Sequence, residues 1–155
     1  MLKKVSLMLV VCVFALLMTG CGEKNVEGTL EEIMTKVYAG VKDEDKPMML
    51  DNMEVNDENI EGFLGTADIE YETALASESM TGSIAHSVVL VRTKEGADVD
   101  AIKTKIKENI NPRKWICVGV EEKDVVVESK GNLIMVLLIE NETTRNTIKD
   151  AFNNL

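Results

Sequence analysis

Seven consecutive residues, Leu133–Ile139 (Leu-Ile-Met-Val-Leu-Leu-Ile), carry no polar side chain. Successive side chains of a strand point to opposite faces, so a run apolar on both parities needs cover on both sides. Residues 84–91 (Ile-Ala-His-Ser-Val-Val-Leu-Val) end in the same way. Two such runs predict interior strands of a sheet with helices packed on it.

The remaining patterning supplies the cover. Thr29-x-x-Glu32 is a capping-box pattern, and Leu30, Ile33, Met34, Val37, Tyr38 and Val41 recur as one apolar stripe. They predict a helix over 29–41. Asp98 can cap a second helix to residue 110, with Val99, Ile102, Ile106 and Ile110 inward and Asn111-Pro112 ending it. A third helix opens at Thr143 or Thr144, with Ile148, Ala151, Phe152 and Leu155 facing the core. Residues 56–64 read as a short helix capped by Asn56 and closed by Gly65. Its acids, Asp57, Glu58 and Glu61, lack the alternation and central glycine of a calcium loop.

Alternation over 69–76 predicts a half-buried strand, and alternation over 115–120 predicts another. Residues 125–127 and Leu133–Ile139 form a hairpin through Ser129-Lys130-Gly131-Asn132. Hairpin joins predict a single α+β domain with a mostly antiparallel sheet of four or five strands. Helices 98–110 and 143–155 are expected together on one face, and helix 29–41 on the other.

Ahead of this domain stands a different kind of segment. Lys3 and Lys4 precede residues 5–18, which are apolar apart from Ser6 and Cys12. The run has signal-peptide length and falls short of the ~20 residues a spanning helix needs. It ends Leu17-Met18-Thr19-Gly20-Cys21, which resembles a bacterial lipobox, with Met18 where Leu is usual. The resemblance implies removal of residues 1–20, a diacylglyceryl group on the Cys21 sulfur and palmitate-type acyl chains. Two chains anchor stably where one binds marginally. The expected location is the extracytoplasmic face of the cell membrane, with residues 21–28 as a short tether and 29–155 as the domain.

The chain holds 17 Lys+Arg and 27 Asp+Glu. Removing residues 1–20 takes Lys3 and Lys4 and no acid, leaving 15 bases against 27 acids, a net charge of −12. Phosphates and anionic headgroups repel such a chain, so nucleic acid is not an expected partner and the lipid carries membrane attachment. Of three cysteines, Cys12 leaves and Cys21 is consumed, so Cys117 has no intrachain disulfide partner. Secretion without disulfides suits a Gram-positive cell.

The blocks Ala85-His86-Ser87-Val88-Val89-Leu90-Val91-Arg92, Lys94-Glu95-Gly96-Ala97-Asp98-Val99 and Asn111-Pro112-Arg113-Lys114-Trp115-Ile116-Cys117-Val118-Gly119-Val120 form a larger pattern. It resembles a family of small lipoproteins from clostridia-like Firmicutes, classed as a domain of unknown function. The likeness runs from about Thr29 to the C-terminus and implies no catalytic residues.

Few residues offer chemistry. His86 and Cys117 are the one histidine and the one mature thiol, the minimum for a thiol nucleophile and its base. The apolar neighbours Ile116 and Val118 instead read Cys117 as a core residue. Arg113, Lys114 and Trp115 offer a surface contact patch. Alternatively Trp115 fills the core while the two bases complement the preceding helix's C-terminal dipole. Met48, Met49 and Met53 read either as thioether ligands for a soft metal or as a flexible segment laid on the core, and the lack of a nearby His or Cys favours the second. No cofactor or metal site is expected. The functional expectation is a non-enzymatic binding module at the envelope. A small-ligand-binding lipoprotein serving a transporter comes second and a thiol-dependent enzyme third.

Overall fold

The computed structural model describes residues 24–155. The expected signal segment 1–20, Cys21 and the first residues of the expected tether lie outside the described residues. The described chain is an α+β domain built on a five-stranded antiparallel sheet. The strands are β1 (Leu50–Val55), β2 (Tyr71–Ser79), β3 (His86–Thr93), β4 (Val126–Lys130) and β5 (Leu133–Ile139), in the order β1-β2-β3-β5-β4. The helices are α1 (Leu30–Tyr38), α2 (Ile60–Leu64), α3 (Val99–Asn109) and α4 (Glu142–Asn153). Among the described residues no helix is long and apolar enough to cross a membrane.

The two runs that are apolar on both parities are the paired central strands, and every residue of β5 is buried. Their register sorts the core. Val88 and Leu90 stand beside Leu137 and Met135 on one face, which α1 and α4 cover with Ile33, Met34, Val37, Ile148 and Phe152. Val89 and Val91 stand beside Val136 and Ile134 on the other, covered by α2 and α3 with Ile60, Leu64, Ile102 and Ile106. The expected pairing of helices is therefore corrected. The 98–110 helix does not share a face with the last helix, which packs instead beside α1. The α1 capping box forms, with Glu32 N–H donating to Thr29 Oγ1 and Thr29 N–H to Glu32 Oε2. Asp98 caps α3 as expected.

Three further expectations are revised. The Met-rich segment is not loosely laid on the core, because Leu50–Val55 pairs along β2 as an edge strand. The short helix begins at Ile60 and is led by Asn59, while Asn56 makes a preceding turn by accepting from the Glu58 amide. Gly65 ends it at φ 76°, 2.1 Å from the Asn109 carbonyl oxygen for any added Cβ, so glycine alone lets α2 meet the end of α3. Residues 115–120 are not a strand. Val120 N–H reaches back to the Pro112 carbonyl at 2.8 Å, closing a loop, and Cys117 sits at φ 64°. Val120, with Trp115 and Val118 partly buried behind it, packs on Ala85 and Leu138. The apolar alternation thus fills one end of a sheet face without extending the sheet.

The tether is not free from residue 24 onward. Arg92 donates to the Val26 carbonyl at 2.7 Å and the Gly28 carbonyl at 2.8 Å, and Asn132 N–H donates to Asn25 Oδ1. Residues 24–28 are strapped across the β4–β5 hairpin end, where Gly131 leaves room for the Lys24 and Asn25 backbone.

Candidate functional site

Two ends of the sheet differ in chemistry. The chain enters at the end formed by Thr93, Gly131 and the start of β2. The opposite end holds the start of β1, the end of β2, the start of β3 and the 112–120 loop. Among the described residues the exposed large apolar side chains are Met48, Met49, Met80 and Ile116, at 71%, 70%, 54% and 73% exposure. All four belong to this far end. Met80 N–H donates to the Met49 carbonyl, and Ser79 Oγ donates to the Met48 carbonyl. Ile116 N–H donates to the Gly82 carbonyl, two residues beyond Met80. Met49 lies at φ 54°, the left-handed region, as the chain turns into β1. The loop and the two strand ends are therefore tied together under the exposed side chains.

Behind the tip lies a buried polar cluster. Asp51, Glu78, Ser87 and Leu138 form one row across β1, β2, β3 and β5. Lys114 descends onto this row, with Nζ 2.8 Å from Glu78 Oε2 and 3.5 Å from Ser87 Oγ, while Ser87 Oγ donates to Glu78 at 3.2 Å. The ammonium also lies 4.7 Å from the Phe63 ring centre and 5.2 Å from that of Trp115. Burial pushes the Lys114 pKa down, and the Glu78 carboxylate opposes that shift. Trp115 Nε1 is buried and finds no acceptor among the described residues.

The expected contact patch thus divides. Arg113 is exposed, Trp115 is half-buried, and Lys114, half-buried with its side chain 14% exposed, anchors the loop. Neither earlier account of Lys114 anticipated this, because its partner Glu78 is distant in sequence and nothing local marks the pair. Ile116, next to the patch, is the exposed apolar residue that the alternation had assigned to a strand.

The His86–Cys117 pair does not form. His86 is 4% exposed on the α1 face, with Nε2 2.7 Å from the Tyr38 hydroxyl. Burial lowers its pKa from 6.5 to about 4. Cys117 belongs to the loop on the opposite face and is an exposed free thiol, which corrects its reading as a core residue. Ser87 beside Lys114 has the composition of a serine–lysine pair, yet Ser87 is 1% exposed and its hydroxyl is committed to Glu78. A substrate has no route to it.

Clefts of ≈ 770 Å³ beside Thr93, Gly96 and Asn132, and of ≈ 700 Å³ beside Lys36, Lys130 and Leu155, lie at the chain-entry end. Both are walled by the strapped residues themselves, Asn25 among them. Among the described residues no three His, Cys, Asp or Glu side chains are grouped to hold a metal.

Comparisons of the chain with protein-family models, with curated proteins and with solved structures found no match.

Proposed function

We propose that this chain is a lipid-anchored extracytoplasmic binding protein without enzymatic activity, held by a lipid on Cys21 and engaging an envelope partner through its far end. The observation that carries the reading is the gathering of Met48, Met49, Met80 and Ile116, all more than half exposed, at one end of the sheet. Monomeric surfaces scatter single apolar residues, whereas a contiguous group marks an interaction site. Methionine suits such a surface because its flexible thioether chain adapts to the partner. The resemblance of the 111–120 block to small Firmicutes lipoproteins supports the same location, since that block carries Ile116.

Two measurements test this. Cells expressing the full chain and fed a labelled fatty acid should label it, and Cys21→Ala should abolish the label; label persisting on that variant removes the anchor. A photo-crosslinking residue at position 116 should give a discrete adduct in intact membranes, whereas one at exposed Lys107 should not. Equal adducts at both positions, or none at 116, would remove the binding surface.

A further inference from the structure

The way the chain enters the domain fixes which way the tip faces, an argument that rests on the lipid-anchor reading. Cys21 precedes Lys24 by three residues, a reach of about 10 Å. Lys24 and Asn25 lie against Gly131, and Arg92 holds Val26 and Gly28. The lipid therefore lies near the hairpin end. The tip lies one strand length away, roughly 25 Å along the nine residues of Tyr71–Ser79. The processed chain's own leading residues do not reach it, and a domain standing on its hairpin end holds the tip clear of the anchoring bilayer.

The charges around the tip narrow the occupant further. Lys46 pairs with Asp43, Lys42 with Glu44, and Lys114 with Glu78. Asp45, Asp51 and Glu140 surround the same end, and none of them has an ion pair among the described residues. Arg113 is exposed beside Ile116, Lys42 and Lys46 are exposed within their pairs, and the nearby Glu121 carboxyl has its pKa lowered chiefly by Lys123 and only slightly by Arg113. An apolar centre with an acidic rim repels a second copy of an acidic chain and attracts a cationic one.

We propose that the tip formed by Met48, Met49, Met80 and Ile116 points away from the anchoring membrane and docks a cationic amphipathic segment of a partner protein. The apolar stripe of that segment covers the methionines and Ile116, while its lysines or arginines meet Asp45, Asp51 and Glu140.

Trp115, the chain's one tryptophan and the neighbour of Ile116, reports directly on the tip. The full lipidated chain in vesicles is titrated with a tryptophan-free Leu/Lys amphipathic helical peptide and with its Leu/Glu counterpart. The expected result is a saturable Trp115 emission change with the Leu/Lys peptide alone. Affinity should fall about tenfold in the Ile116→Ser/Met49→Ser double variant, the loss expected of central apolar anchors. Equal binding of both peptides, or unchanged affinity in the double variant, overturns the proposal. In vesicles of brominated lipid Trp115 should keep its emission; quenching means the tip meets the bilayer and overturns the orientation. Sedimentation of the chain without peptide should show a monomer, and a dimer abolished by the same double variant overturns the choice of occupant. A 116 adduct identified as lipid or as this chain would also defeat this proposal while leaving a binding surface in place. Loss of the adduct altogether would defeat the parent reading instead.

Discussion

The Tyr38 hydroxyl and His86 Nε2 lie 2.7 Å apart, joining α1 to the first residue of the central strand β3. Both side chains are buried, and burial drives their pKa values in opposite directions. The phenol rises well above its usual range and the imidazole falls to about 4. The pair is thus held neutral, which makes it a structural joint.

That joint sets a pH dependence. Between pH 6.5 and about 4 the unfolded chain protonates His86 while the folded chain does not. Its contribution is complete above pH 6.5, declines as pH falls through this window, and is lost below it. A shift of this size corresponds to roughly 3 kcal/mol. Urea unfolding at several pH values should show this slope, and His86→Gln should flatten it relative to the parent protein. Equal slopes in the two proteins would mean that His86 is accessible to protons in the fold.

The Lys114–Glu78 pair should behave as a buried ion pair. Lys114→Ala or Glu78→Ala each leaves a charge uncompensated, at a cost of about 3–5 kcal/mol. The double change Lys114→Met/Glu78→Leu should recover most of that loss, since an apolar pair fills the same space without desolvating charge. Chemical denaturation of the three variants checks this. A double variant as unstable as the singles would show that the loop needs the charges themselves.

Cys117 should react readily with a thiol reagent in native protein, because the thiol is exposed. Its backbone at φ 64° favours a residue without a Cβ. Cys117→Gly should therefore be neutral or stabilising, whereas Cys117→Val should lose roughly 1 kcal/mol or more from a β-branched residue forced into the left-handed region. Thermal unfolding of the two variants separates these outcomes; equal stabilities would place the strain elsewhere.

Helix α1 should be indispensable. Leu30, Ile33, Met34, Val37 and Tyr38 are all buried against the sheet. At ~1.5–3 kcal/mol for each such side chain, their loss rivals the ~5–15 kcal/mol stability of a domain. A chain beginning at Lys42 should be insoluble or unfolded, and one beginning at Gly28 should fold. A cooperative unfolding transition in the shorter chain would contradict the packing described for this face.

What was legible in the residues follows the range of the forces involved. The central strands and the three longer helices announce themselves because one face, or both, must be buried at a fixed period, as in Leu133–Ile139 or the Leu30–Val41 stripe. Helix pairing was misjudged because period says which side of a helix is buried but not which sheet face receives it. That choice depends on the β3–β5 register, which sets Val88 beside Leu137. The 115–120 alternation misled for a related reason. Trp115, Val118 and Val120 are buried to different degrees by a loop closure between Pro112 and Val120, a contact with no periodic signature. The tip was hidden because Met80 and Ile116 are 36 residues apart and only the fold makes them neighbours. Arg92, just past the 84–91 run, gave no sign that it grips residues 26 and 28.

That grip has a mechanical consequence. On the proposed lipid-anchored reading, a pull applied between Cys21 and the tip would act nearly parallel to the strands. The strap leads into α1, so the load reaches the sheet through the packing of that helix, and the strand ladders resist it along their length. The strap is loaded differently, since the two Arg92 bonds to Val26 and Gly28 meet the force one after the other. It should yield first and release about five residues, or roughly 17 Å of chain, before the sheet gives way. Single-molecule stretching from position 21 to the tip would show that short step ahead of the main rupture, and Arg92→Ala would weaken it, leaving the Asn132–Asn25 bond as the remaining hold. In a chain anchored and engaged as proposed, the strap would then act as a shock absorber.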